Sequence, residues 1–142
     1  HGYGEVIDRH SENIVERVRE LTGGKGVPVV FDSVGKDTYD QSIECLAPRG
    51  FFVSFGTSSG KVPPVDASTL QHKGSLYFTR PSLADYCAAR TDYEASVARV
   101  FDMVASGKIK IDIGQRYSLD DAVRAHTDLE TGATSGSSLL IP

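Results

Sequence analysis

Apolar positions along this chain alternate between two rhythms. Ile14, Val15, Val18 and Leu21 recur at the spacing of one helix face, and Gly23-Gly24 then offers a stop. Ser11 ahead of them supplies a hydroxyl N-cap, with Glu12 favourable in the first turn. Residues 27–32 (VPVVFD) are nearly continuously apolar, the pattern of a strand buried on both faces. Helical spacing returns over residues 37–46, with Tyr39, Ile43 and Leu46 on one face and Asp37 as the cap. Pro48-Arg49-Gly50 predicts a turn into a second buried strand at 51–55 (FFVSF), and residues 5–8 (EVID) predict a short strand upstream of all these.

The alternation continues. Residues 56–64 (GTSSGKVPP) form a loop by composition, 68–72 a short helical turn, and 75–79 (SLYFT) a strand ended by Arg80-Pro81. Thr91-Asp92-Tyr93-Glu94 has the form of a capping box. The helix it opens would turn Val97, Val100, Phe101 and Val104 inward and end at Gly107. A strand follows at 110–117. Ser118 and Asp121 start a last helix that Gly132 ends, and residues 138–141 make a final strand. Strands alternating with helices predict an α/β fold, a doubly wound and mostly parallel sheet covered on both faces. Such sheets bind ligands beyond the carboxyl ends of their strands. Three predicted strand ends are rich in small and polar residues: 32–35 (DSVG), 56–60 (GTSSG) and 79–82 (TRPS).

Composition narrows the function classes. The chain has 142 residues, 39% hydrophobic and 24% charged, with a net charge of −4. That is an ordinary globular balance with no basic excess to attract nucleic acid or an acidic membrane surface. No apolar run approaches the ~20 residues that span a bilayer. Cys45 and Cys87 stand apart and read as reduced, buried thiols of a cytoplasmic protein. His1, His10, His72 and His126 are scattered without metal-ligand spacing, so no metal site is expected. The chain lacks a G-x-G-x-x-G phosphate loop and opens without Met, which we read as a fragment whose N-terminus lies upstream.

Several of these segments resemble one family. Phe31-Asp32-Ser33-Val34-Gly35, Phe55-Gly56-Thr57-Ser58-Ser59-Gly60 and Lys73-Gly74-Ser75-Leu76-Tyr77-Phe78-Thr79-Arg80-Pro81 are similar to segments of the zinc-independent NADPH:quinone oxidoreductases, relatives of zeta-crystallin in the medium-chain dehydrogenase/reductase superfamily. Ala105-Ser106-Gly107-Lys108-Ile109, Asp121-Ala122-Val123-Arg124-Ala125-His126 and Ser137-Ser138-Leu139-Leu140-Ile141-Pro142 carry the likeness to the last residue. The resemblance implies a partial Rossmann-type domain over 1–110 and a segment, 111–142, that packs with a catalytic domain outside this chain. It implies hydride transfer from NADPH to a quinone or similar electron-poor substrate. Ser33 would lie near the adenosine side of the cofactor, and Gly56, Thr57, Ser58 and Ser59 along its central and nicotinamide portions. Phe78, Thr79 and Arg80 would meet the nicotinamide end; for Arg80, a strand-end cap is an equal alternative. No catalytic residue falls within the chain, so it is expected to be inactive alone. The strands at 111–117 and 138–141 would pair with each other, pack on the rest of the chain or exchange between chains. The resemblance further implies a homodimer joined through the edge strand 75–79. Two other readings stay open: a non-catalytic dimerising module, and part of an enoyl or alkenal reductase.

Overall fold

The computed structural model describes residues 4–142; residues 1–3, His1 among them, lie outside that description. The chain divides by its own contacts into one unit ending at Ala89 and another running from Arg90 to Pro142.

In the first unit three parallel strands, β1 (Val27–Asp32), β2 (Leu46–Ser54) and β3 (Tyr77–Thr79), lie side by side in sequence order. The expected parallel α/β arrangement is borne out. Val30, Phe52 and Phe78 share one row across the sheet. Helix α2 (Tyr39–Glu44) lays Tyr39 and Ile43 on that row, and α3 (Ala67–His72) adds Leu70. Phe52 is fully buried, edge-on to Tyr39 at 5.5 Å and stacked on Phe78 at 5.3 Å. Helix α1 (Ile14–Leu21) joins through Arg19, whose guanidinium donates to the carbonyls of Gly24 (3.0 Å) and Glu44 (2.7 Å).

The opposite face is bare. Val29, Phe31, Phe51, Phe55 and Tyr77 are exposed, Phe31 by 72%. The expectation that 27–32 and 51–55 are buried on both faces is therefore corrected. A continuous apolar run shows that both faces avoid water; it does not say that both covers lie in the same segment, and α2 and α3 cover one.

Local chemistry explains the other departures. Residues 5–8 form no strand. The Asp8 carbonyl instead accepts from the N–H groups of Ser11 (3.1 Å) and Glu12 (2.9 Å), and its carboxylate accepts from His10 N–H and the Ser11 hydroxyl. With Ser11 so engaged, Asn13 is the N-cap of α1, accepting from Val15 and Glu16. Asp37 does not cap α2; Thr38 holds that position, and its hydroxyl turns to Asp32. Pro48-Arg49-Gly50 makes no turn: Arg49 adopts φ 61°, donates its N–H to Gly74 (2.7 Å), and β2 runs through from Leu46 with a slip in register. The strand expected at 75–79 starts at Tyr77, because Ser75 takes φ 58° and Leu76 N–H bonds Leu70. After it comes a short helix not foreseen in the sequence, α4 (Leu83–Tyr86).

In the second unit α5 (Arg90–Ala105) precedes β4 (Ile113–Ser118), a 3-10 turn (Leu119–Asp121), α6 (Ala122–Glu130) and β5 (Ser137–Ile141). β4 and β5 pair with each other in parallel, one of the three arrangements left open. The Tyr117 hydroxyl donates to Asp128 of α6 at 2.9 Å. Val100 and Phe101 of α5 are exposed rather than inward, and Glu94 pairs with Arg90 of the same helix.

The asymmetry of the sheet gives a direct test. Phe52→Ala should cost about 3–5 kcal/mol in urea unfolding, whereas Phe31→Ala on the bare face should cost less than about 1 kcal/mol. Equal losses would mean that both faces are covered.

Candidate functional site

The carboxyl ends of β1 and β2 are locked together around one buried carboxylate. Asp32 is 3% exposed and accepts from the N–H groups of Val34 and Gly35 (both 2.9 Å) and from the hydroxyls of Thr38 (2.7 Å) and Ser42 (2.8 Å). Burial alone would raise its pKa. The bonds from Thr38, Gly35, Ser42 and Val34 outweigh burial and hold it below the ordinary carboxylate value. The loop after β1 is thereby fixed, and the loop after β2 is laced onto it. Phe55 N–H donates to the Asp32 carbonyl (2.9 Å), Ser59 N–H to Val34 (2.9 Å) and Lys36 N–H to Gly60 (3.2 Å). The Ser59 hydroxyl donates to the Val34 carbonyl and accepts from Asp37 N–H. A Cβ on Gly56 would overlap the Ser33 carbonyl, and one on Gly35, at φ 96°, the Gly60 carbonyl. Both glycines are therefore required by the protein's own packing.

Beside these loops lies a cavity of about 350 Å³. Ser54 and Phe78 form its sheet wall. Val62, Pro63 and Val65 add apolar surface, and Thr57, Lys61 and Arg80 supply polar groups. Arg80 bridges the strand end: its Nη1 donates to the Ser54 hydroxyl (3.1 Å) and to the carbonyls of Ser54 (3.3 Å) and Gly56 (3.4 Å). The strand-end alternative for Arg80 is thus present, and the same side chain also faces the cavity.

Of the residues singled out in the sequence, Thr57, Phe78 and Arg80 come together around this cavity. Ser33, Ser58 and Thr79 are exposed and do not line it. Gly56 contributes a carbonyl to Arg80, and Ser59 is consumed in holding the two loops. Sequence reasoning missed Ser54 and Lys61. The only signal for Ser54 was a lone hydroxyl inside an apolar strand. Lys61 sat unremarked in a loop. Among the described residues no group of three His, Cys, Asp or Glu side chains is placed to hold a metal, and Cys45 and Cys87 are free thiols.

Comparison with known proteins adds a second line of observation. A family described as zinc-binding dehydrogenase matches residues 1–140. The chain is 54% identical over 143 residues to the quinone oxidoreductase of Salmonella typhimurium, covering 99% of this chain and 44% of that protein. The crystal structure of Escherichia coli quinone oxidoreductase complexed with NADPH superposes with a TM-score of 0.91 at 52% identity, over 97% of this chain and 43% of that one. A quinone oxidoreductase structure from Pseudomonas syringae pv. Tomato DC3000 gives 0.91 at 45% identity, over 97% and 42%. The chain spans about 44% of the length of the bacterial quinone oxidoreductases of Salmonella typhimurium, Escherichia coli and Pseudomonas aeruginosa that it matches.

The buried carboxylate predicts a pH dependence. Because Asp32 titrates below its free value of 3.8, its contribution is complete above that pH and is lost as pH falls through the depressed folded value. Asp32→Asn offers one carbonyl oxygen to several donors and should cost about 2 kcal/mol at neutral pH. Urea midpoints measured from about pH 6 to pH 2 should converge between the two proteins at the acid end. A constant gap would show that the carboxylate's charge is not what matters.

Proposed function

Because the chain belongs to the zinc-binding dehydrogenase family, we propose that it is the cofactor-side portion of an enzyme that moves hydride from NADPH to a quinone or similar electron-poor acceptor. One observation carries this reading. Thr57, Phe78 and Arg80 converge on a cavity at the strand ends, in a chain that superposes on a quinone oxidoreductase crystallised with NADPH. The residues fit one end of a dinucleotide. Phe78 offers an apolar wall for a ring, while Thr57 and Arg80 offer donors for carboxamide or phosphate oxygens. A space of about 350 Å³ holds a ring-sized group, so the remainder of the cofactor would run along the rim past Ser58, Ser33 and Thr79. Gly56 and Ser59 act on it indirectly, by fixing the loop that carries Thr57 and Ser58.

When bound, the nicotinamide supplies the hydride; this chain's residues bind and orient it. The reading includes a reaction without zinc, testable by metal analysis of the full-length protein, and a cytoplasmic location in keeping with two free thiols. It also treats 1–110 as the nucleotide portion and 111–142 as the segment that meets the catalytic domain. Homodimer formation belongs to it as well. Among the described residues β3 pairs with β2 on one side only, and Tyr77 is 53% exposed, stacked on Phe51 at 4.6 Å. A strand open on one side invites a second copy.

The full-length protein should oxidise NADPH with 1,4-benzoquinone. The 142-residue chain should show no enzyme-dependent turnover and bind NADPH no more tightly than about millimolar; micromolar binding in calorimetry would overturn this. Light scattering at tens of micromolar should report a dimer that Tyr77→Pro weakens. A monomer mass would remove the dimer, and an unaffected dimer would move its interface elsewhere.

A further inference from the structure

The cavity beside β2 holds a surplus of hydrogen-bond donors. Lys61 contributes an ammonium that has no ion-pair or hydrogen-bond partner among the described residues. Among the described residues Arg80 is tied to the protein through Nη1 alone, which leaves the N–H groups of Nε and Nη2 without a described acceptor. Ser54 is fully buried, and its hydroxyl accepts from Arg80 while its own hydrogen has no acceptor among the described residues. The Thr57 hydroxyl is likewise unengaged. Among the described residues no Asp or Glu lines the cavity. The neighbouring Asp66 spends its carboxylate at the start of α3, on Thr69 N–H and the Ser68 hydroxyl. Against these donors stand the apolar side chains of Val62, Val65 and Phe78.

Two cations and two hydroxyls without a carboxylate to neutralise them call for a ligand that brings its own acceptors and its own negative charge. The apolar wall calls for a hydrophobic body of about ring size. We propose that this cavity selects a small organic monoanion: one carboxylate on an unsaturated or aromatic body. The carboxylate is held by Lys61 and the free edge of Arg80, with Ser54 donating into it. The body lies against Phe78 and Val62. Because the cavity is the one given above to the nicotinamide ring, the monoanion takes that ring's place and excludes it, and the inference deepens that reading by naming the class of molecule that competes there. It rests on that reading for the ligand's role and not for its binding. Lys61 is the specificity-determining residue. Its side chain is exposed, so its replacement leaves the core intact.

Benzoate and the neutral isostere benzamide separate charge from shape. They are titrated calorimetrically into the full-length protein at pH 7 without cofactor, and NADPH is titrated separately. Benzoate should bind about tenfold more tightly than benzamide, and the preference should shrink with added salt. Lys61→Ala should reduce it to about two- to threefold, and Lys61→Arg should restore it. Equal binding of the two probes, no binding of benzoate, or a preference unchanged in Lys61→Ala would each overturn the proposal. NADPH binding without a benzoate preference sinks the anion site and leaves the cofactor reading standing. A Lys61-dependent benzoate preference without NADPH binding does the reverse.

Discussion

A carboxylate taken out of water at the end of β1 sets the geometry on which the rest of the first unit depends. Among the described residues Asp32 has no cation paired with it; four neutral donors hold its charge. A buried charge held this way is tolerable only while every donor stays in place, because losing one leaves both charge and donor underserved. The consequence is mechanical. Val34 and Gly35 N–H groups fix the path of the chain out of β1, and Thr38 and Ser42 fix where α2 begins and how it rolls on the sheet. The second loop inherits that order through Ser59 and Gly60. The loop that brings Thr57 to the cavity is therefore held by backbone and hydroxyl contacts reaching back to one residue.

The parts legible in the sequence were those written in runs of residues. Apolar runs at 27–32 and 51–55 specified parallel strands, and the strand-end clusters 32–35 and 56–60 marked where the loops converge. The likeness to quinone oxidoreductases read from those segments is borne out at 54% identity to one such protein. What stayed hidden depends on partners distant in the chain. Residues 5–8 have strand composition, yet a strand exists only where another pairs with it; Asp8 and Glu12 found each other first. Pro48-Arg49-Gly50 looked like a turn because left-handed geometry at Arg49 is not visible in a sequence. Ser54 was read as one position of a buried strand. Its importance lies in meeting Arg80, 26 residues further on.

The two faces of the sheet show how the same residue types serve different ends. Phe52 and Phe78 stack inside the core, and Phe51 and Tyr77 stack in the adjacent register positions outside it. Aromatic pairing across parallel strands holds the register in both places. Only the inner pair also removes its surface from water. The outer pair, with Val29, Phe31 and Phe55, leaves a contiguous apolar face of the kind proteins cover with further structure.

The order of the strands in space, β1-β2-β3, is also their order in the chain. Partners in adjacent strands, such as Val30 with Phe52 and Phe52 with Phe78, lie about two dozen residues apart. At ~5–20 residues per second a ribosome delivers each such crossover within about 1–5 s, long compared with the microseconds to milliseconds in which local elements form. β2 and β3 can therefore each dock on a strand that has already emerged, and neither has to be inserted between two described strands that are paired. Among these three strands, addition proceeds along one edge, from β1 toward β3. Of the three, β3 is the last to be laid down, and its outer margin is the freshest edge.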